Sequence, residues 1–164
     1  MQKSVLVLID LQVCFEAAVD ETYLKKCLSY IKTAQKNNQL ILVVTYKAWG
    51  STPSHVHTKI TKALKGYKNI SHVQKGQNDG SREIVTALRA AGYDLKKRTI
   101  LNIGGVNTSA CVVDTVYGLA QYKYKFVLNV HSKACNDDCT GMLSTEKVRR
   151  YFREFTRSKK VIVK

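Results

Sequence analysis

Short uninterrupted apolar runs alternate with amphipathic stretches along this chain, and that alternation restricts the fold more than any other feature. The runs SVLVLIDL, LILVVTYK, ISHVQK, TILNIGGV, KFVLNVHS and KVIVK predict six strands. They are too continuous for a sheet with one wet face, which would alternate apolar and polar residues. Between them, TYLKKCLSYIKTAQKNN, GSREIVTALRAAGYDL, TSACVVDTVYGLAQYK and STEKVRRYFREFTRS carry helical patterning, and the polar STPSHVHTKITKALKGYK holds a loop with a short helix. Ser81 reads as a helix cap, and Asn37-Asn38 and Gly92 read as stops. Ser144 and Thr145 open the last helix without a clean Ser-x-x-Glu spacing. Strands buried on both faces and joined by helices run parallel through right-handed crossovers. The expected fold is therefore a three-layer, doubly wound, Rossmann-like α/β/α domain around a mostly parallel six-stranded sheet. With 164 residues, one Pro, no repeat and no linker, one domain over 1–164 is expected.

In such folds ligands bind beyond the carboxyl ends of the strands. Asp10 ends the first strand, Lys75 ends the third, and Cys111 follows the fourth as a helix opens. An acid at the end of an apolar strand is costly without a partner or a role. A helix N-terminus and a nearby ammonium both lower a thiol's pKa, and a carboxylate can take the thiol proton and return it to a leaving group. Read singly, Asp10 caps a helix, Lys75 is solvated and Cys111 fills a small core space. Their shared edge favours a nucleophilic site.

Five cysteines form no disulfide framework. Cys14, Cys27 and Cys111 sit in apolar or helical contexts, with Cys14 expected in the core. Cys135 and Cys139, in ACNDDC, read as two reduced thiols near a loop, because no second Cys or His pair completes a zinc set. The first apolar run is too short to span a bilayer and lacks a signal-peptide cleavage site, so a cytoplasmic protein without a membrane partner is expected. The formal net charge of +15 implies attraction to anions. The Lys and Arg residues are spread along the chain and no nucleic-acid motif accompanies them, so an acidic metabolite is favoured over nucleic acid.

The stretches VLVLIDLQVCF, HVQKGQND and GGVNTSACVVDTVYGLA resemble the three signature regions of the isochorismatase-like cysteine hydrolases, which include nicotinamidases and isochorismatases. The specific part is G-V-x-T-x-x-C-V from Gly105 to Val112, supported by Asp10, Gln12 and Phe15. The resemblance implies Asp10 as general base, Lys75 as electrostatic partner and Cys111 as nucleophile. It also implies a cis peptide at Val106-Asn107, with the N–H groups of Asn107 and Cys111 facing the developing oxyanion. Gly104, Gly105, Ser109 and Ala110 would then let the backbone turn tightly and leave the thiol open to substrate. Asp10→Asn and Lys75→Ala are each expected to slow alkylation of Cys111. Homo-oligomers are common in the family.

The chain departs from that pattern where nicotinamidases hold a metal. Lys47 stands at the Asp position and Trp49 at the first His position, so no metal or other cofactor is expected. His55 and Trp49 become pocket residues beside Phe15, with Trp49 stacking on a planar substrate. His131 and Ser132 stand where relatives often have an Asp. The leading reading is a hydrolase cleaving a C–N bond in a small, anionic metabolite through an acyl-enzyme on Cys111. The alternative is a protein of the same fold that sequesters an acidic metabolite or nucleotide signal without turning it over.

Overall fold

The computed structural model describes residues 3–47, 54–153 and 160–164. Strands β1 (Lys3–Ile9), β2 (Leu40–Tyr46), β3 (Ile70–Lys75), β4 (Thr99–Gly105), β5 (Phe126–Cys135) and β6 (Val161–Val163) form one sheet in the order β3-β2-β1-β4-β5-β6. Every pairing is parallel. The chain runs outward from β1 to β3, crosses back to β4 and runs outward again to β6. The switch point therefore lies between β1 and β4, where such folds open a crevice.

Successive strand residues point to opposite faces, and each face has its own core. Leu6, Leu8, Ile41 and Val43 meet Leu24 and Ile31 of α2 (Glu21–Lys36) and Ile60 of α3 (Thr58–Leu64). Val5, Val7, Leu42 and Val44 share the other core with Leu88 of α4 (Ser81–Ala90), Val116 of α5 (Val113–Gln121) and Val148 of α6 (Thr145–Tyr151). Burying each such side chain contributes about 1.5–3 kcal/mol, so a strand apolar on both sides is stable only inside this sandwich. No helix among the described residues is long and apolar enough to cross a membrane.

Several boundaries differ from the sequence pattern for physical reasons. β1 stops at Ile9 rather than Leu11, because Asp10 turns into the left-handed region at φ 56°. A four-residue helix, α1 (Glu16–Val19), follows; its pattern is too short to stand out. The cap of α4 is not Ser81: the Ser81 N–H donates to Asp79 Oδ1 at 2.7 Å. Ser144 does cap α6, accepting from the Lys147 N–H. β5 outruns its expected end at Ser132 and reaches Cys135, through a register irregularity that pairs Gly105 with Cys135. That extension delivers Asn136, Asp137 and Asp138 to the carboxyl edge.

Candidate active site

Asp10 and Lys75 leave the ends of strands two places apart and meet under the crevice. Lys75 Nζ lies 2.9 Å from Asp10 Oδ2, and both side chains are fully buried. The ammonium also donates to Gln77 O at 3.0 Å and sits 5.0 Å from the centre of the Tyr46 ring. Both Asp10 oxygens are buried, and Lys75 is the cation that faces them. Burial therefore raises the Asp10 pKa, against the opposing charge of Lys75.

Cys111 reaches the pair from the other side of the switch point. Its helix begins with one wide turn, Thr108–Val112, in which the Val112 N–H donates to Asn107 O at 3.0 Å, five residues back. Such turns often mark functional sites. α5 continues directly from it. The peptide before this turn, Val106-Asn107, is cis. The thiol is not open: Cys111 is only 6% exposed. Nor is its pKa lowered as the helix start and ammonium alone would suggest. Burial pushes it up to about 11, helped by the Asp10 charge and opposed by Lys75. The thiol rests protonated, with Sγ 3.7 Å from Asn78 Oδ1.

The two glycines before this turn serve close packing rather than thiol access. A Cβ on Gly104 would lie 2.6 Å from Ala134 O. Gly105, at φ 154°, lies against Ile9 so closely that a Cβ would strike the Ile9 carbonyl. The Val106 N–H donates to Ile9 O at 2.9 Å, which binds the turn to the residue before Asp10.

The loop after β5 supplies groups that the sequence pattern missed. Asp137 Oδ2 accepts from both the Ser109 N–H (2.9 Å) and the Ser109 hydroxyl (2.5 Å). Asn136 O accepts from the Thr108 N–H at 3.0 Å. Asp138 Oδ2 accepts from Asn107 Nδ2 (2.9 Å), and the Asp138 N–H returns a bond to Asn107 Oδ1 (2.7 Å). Together these bonds hold the turn that carries Cys111. The Asn107 N–H itself donates to no group among the described residues. The acids beyond the fifth strand thus stand at 137 and 138, not near His131 and Ser132. The pair of Asp in ACNDDC was the available signal, hidden by the early expected end of the strand.

Of the remaining expected pocket residues, Phe15 and His55 are described. Phe15 is half-buried against the core under α2. His55 is exposed and lines a shallow depression with Thr58, Thr61 and Lys62. Trp49 lies outside the described residues. His57 Nδ1 accepts from the Lys59 N–H and caps α3. Among the described residues no three His, Cys, Asp or Glu side chains gather as metal ligands would. Cys14 is exposed, not in the core, and all five cysteines are free. Gln12 is fully buried and clamps the edge: its amide donates to Tyr46 O and Ser54 O and accepts from the Tyr46 N–H.

No protein-family model and no curated protein matches the sequence. Solved structures do match the fold. A nicotinamidase from Staphylococcus aureus superposes with a TM-score of 0.74 at 16% identity, covering 100% of this chain and 98% of that one. A Burkholderia xenovorans protein described as a putative isochorismatase gives 0.70 at 17% identity, covering 99% and 83%. An octameric hydrolase of unknown specificity from Escherichia coli gives 0.70 at 15%, covering 98% and 75%. The all-parallel sheet, its order and these likenesses together give the chain the isochorismatase-like hydrolase fold.

Proposed function

We propose that this protein is a cysteine hydrolase that cleaves the C–N bond of a small amide without a metal. The observation that carries the reading is the buried Asp10–Lys75 ion pair placed beside a thiol at the first turn of a helix. Asp10 takes the Cys111 proton as the sulfur attacks the carbonyl carbon. The resulting oxyanion is met by the N–H groups of Asn107 and Cys111; removing one such donor typically costs about 3 kcal/mol of transition-state stabilisation. Collapse breaks the C–N bond, and the Asp10 proton leaves on the amine. Water, deprotonated by Asp10, then attacks the thioester, releasing the acid and restoring the thiol. Lys75 keeps Asp10 ionised enough to act, against a burial that favours its neutral form.

The solved nicotinamidase of the same fold supports the amide class. Lys47 and Trp49, in place of metal-ligating side chains, support a metal-independent reaction. Five free thiols suit a reducing compartment such as the cytoplasm. The octameric hydrolase of Escherichia coli supports assembly as a homo-oligomer. The formal net charge of +15 supports an anionic substrate. A protonated, nearly closed thiol would also suit the sequestering alternative, so the test must separate the two. A metabolite extract is incubated with the wild type and with Cys111→Ala, without added metal. A compound consumed only by the wild type, its product gaining water, supports hydrolysis. A compound retained unchanged by both proteins refutes it.

A further inference from the structure

Positive charge that is scattered along the sequence is gathered by the fold. Helices here run antiparallel to the strands, so the starts of strands and the ends of helices share the amino edge of the sheet. Lys3 opens β1 and Lys68 precedes β3. The run Lys96-Lys97-Arg98 precedes β4, and Lys123 and Lys125 precede β5. Lys36, Lys65 and Arg89 close α2, α3 and α4. All ten are exposed, and Asp94 is the one acid at this edge among the described residues. The other described acids follow strand ends or occupy first helical turns at the opposite edge. Cations at helix C-termini complement the helix dipole, which accounts for Lys36, Lys65 and Arg89. It does not account for the cations on the approaches to the strands.

Rings and amides stand among these charges. Tyr122 and Tyr124 stack, with centroids 5.4 Å apart and planes at 9°. The Arg89 guanidinium lies 5.7 Å from the Tyr124 ring, and Lys3 Nζ lies 4.7 Å from that of Tyr93. A cavity of about 760 Å³ opens at the same edge, lined by Lys3, Asn37, Asn38, Gln39, Asn69 and Tyr93 among others. Carboxamides both donate and accept, as base edges require, and half-buried rings offer faces on which bases stack.

We propose that the amino edge binds single-stranded nucleic acid. The cations would track the phosphates while the tyrosines and the amide-lined cavity receive bases. A lipid surface fits less well, because the exposed non-aromatic side chains Val13, Val19 and Met142 lie away from this edge. β1 has seven residues and spans about 20 Å, so the surface does not overlap the triad.

The test is fluorescence anisotropy with labelled oligouridylate and oligothymidylate at several salt concentrations. One variant carries Lys96→Glu, Lys97→Glu and Arg98→Glu. A second carries the same change of charge elsewhere, at the exposed Lys25, Lys133 and Lys147, each to Glu. The edge variant should lose more than about tenfold in affinity and flatten the salt dependence by about 0.7 for each phosphate no longer neutralised, whereas the distal variant should change less than about twofold. Tyr93→Leu should weaken binding even at high salt, where stacking persists. Equal losses in both triple variants would overturn the proposal, leaving only net charge. Edge-dependent binding of phosphatidylserine vesicles without binding of either oligonucleotide would overturn it as well. An unchanged rate of Cys111 alkylation in each variant verifies that the fold is intact.

Discussion

Lys75 Nζ stands 2.9 Å from Asp10 Oδ2 with both side chains fully buried, so neither charge can be removed without stranding the other. Breaking a buried pair on one side typically costs about 3–5 kcal/mol, whereas replacing both partners by apolar groups is often close to neutral. Asp10→Asn and Lys75→Met should therefore each destabilise the protein by several kcal/mol. The double variant Asp10→Asn/Lys75→Met, which leaves no buried charge and keeps at position 10 a residue that tolerates φ 56°, should recover part of that loss and remain inactive. Urea denaturation of the four proteins forms the cycle. Strictly additive losses would show that the pair is not coupled in solution.

The charges around Cys111 separate the roles of its two neighbours. The Asp10 charge raises the thiol pKa and Lys75 lowers it, on top of a burial that pushes it to about 11. Lys75→Met should slow iodoacetamide alkylation at neutral pH. Asp10→Asn should speed it, contrary to the expectation from sequence, because the negative charge that disfavoured the thiolate is gone. Turnover should nevertheless fall in both, since Asp10 is the proposed base. Alkylation rates measured across pH, beside turnover of an identified substrate, check this. A slower alkylation in Asp10→Asn would mean that the carboxylate already holds the thiol proton before substrate binds.

The layers of this fold were legible because unbroken runs such as VLVLI can be buried only between two layers of helices. The positions of Asp10, Lys75 and Cys111 at the carboxyl edge followed from the ends of β1, β3 and β4, which the apolar pattern marks to within a few residues. What the pattern could not carry was anything set by tertiary fit. The left-handed turn at Asp10 and the register irregularity opposite Gly105 follow from close backbone approach, not from periodicity. The thiol's shift depends on how much solvent the surrounding loops exclude, so reasoning from the helix start and the lysine alone gave the wrong sign. The contacts of Asp137 and Asp138 were not legible in the sequence because their partners, Ser109 and Asn107, lie 28 and 31 residues away in the chain.

His131 should impose an acid limit on stability. Burial, aided by the Lys164 charge, lowers its pKa from 6.5 to about 4. The Nε2 nitrogen is 3.0 Å from Asn102 Oδ1, and the Tyr30 ring is 4.7 Å away. A folded-state pKa below the unfolded value means that the unfolded chain binds the proton first. The stabilisation is then fully present above about pH 6.5 and is lost as the pH falls toward 4, at about 1.4 kcal/mol per pH unit. Denaturation midpoints of the wild type and His131→Gln should converge over that window. Parallel curves would show that the ring is solvated when folded.

Asp137 should govern the precision of the turn that carries Cys111, the proposed nucleophile, more than the survival of the fold. Its carboxylate accepts from the Ser109 N–H and hydroxyl, and its other oxygen accepts from the Cys139 N–H at 3.2 Å. Loss of a comparable cap costs about 0.5–2 kcal/mol, small against the stability of a domain. Cys111 lies two residues beyond Ser109, so loosening this turn displaces the sulfur and the neighbouring N–H groups together. Asp137→Ala should lower the melting temperature by a few degrees, yet reduce turnover at least about tenfold, because small misplacements of reacting groups are amplified in rate. Asp137→Asn, which keeps one acceptor, should fall between the two. Thermal melts and turnover measured on the same preparations decide it. Turnover that follows the melting temperature across the series, with no extra loss in Asp137→Ala, would reduce Asp137 to a cap and nothing more.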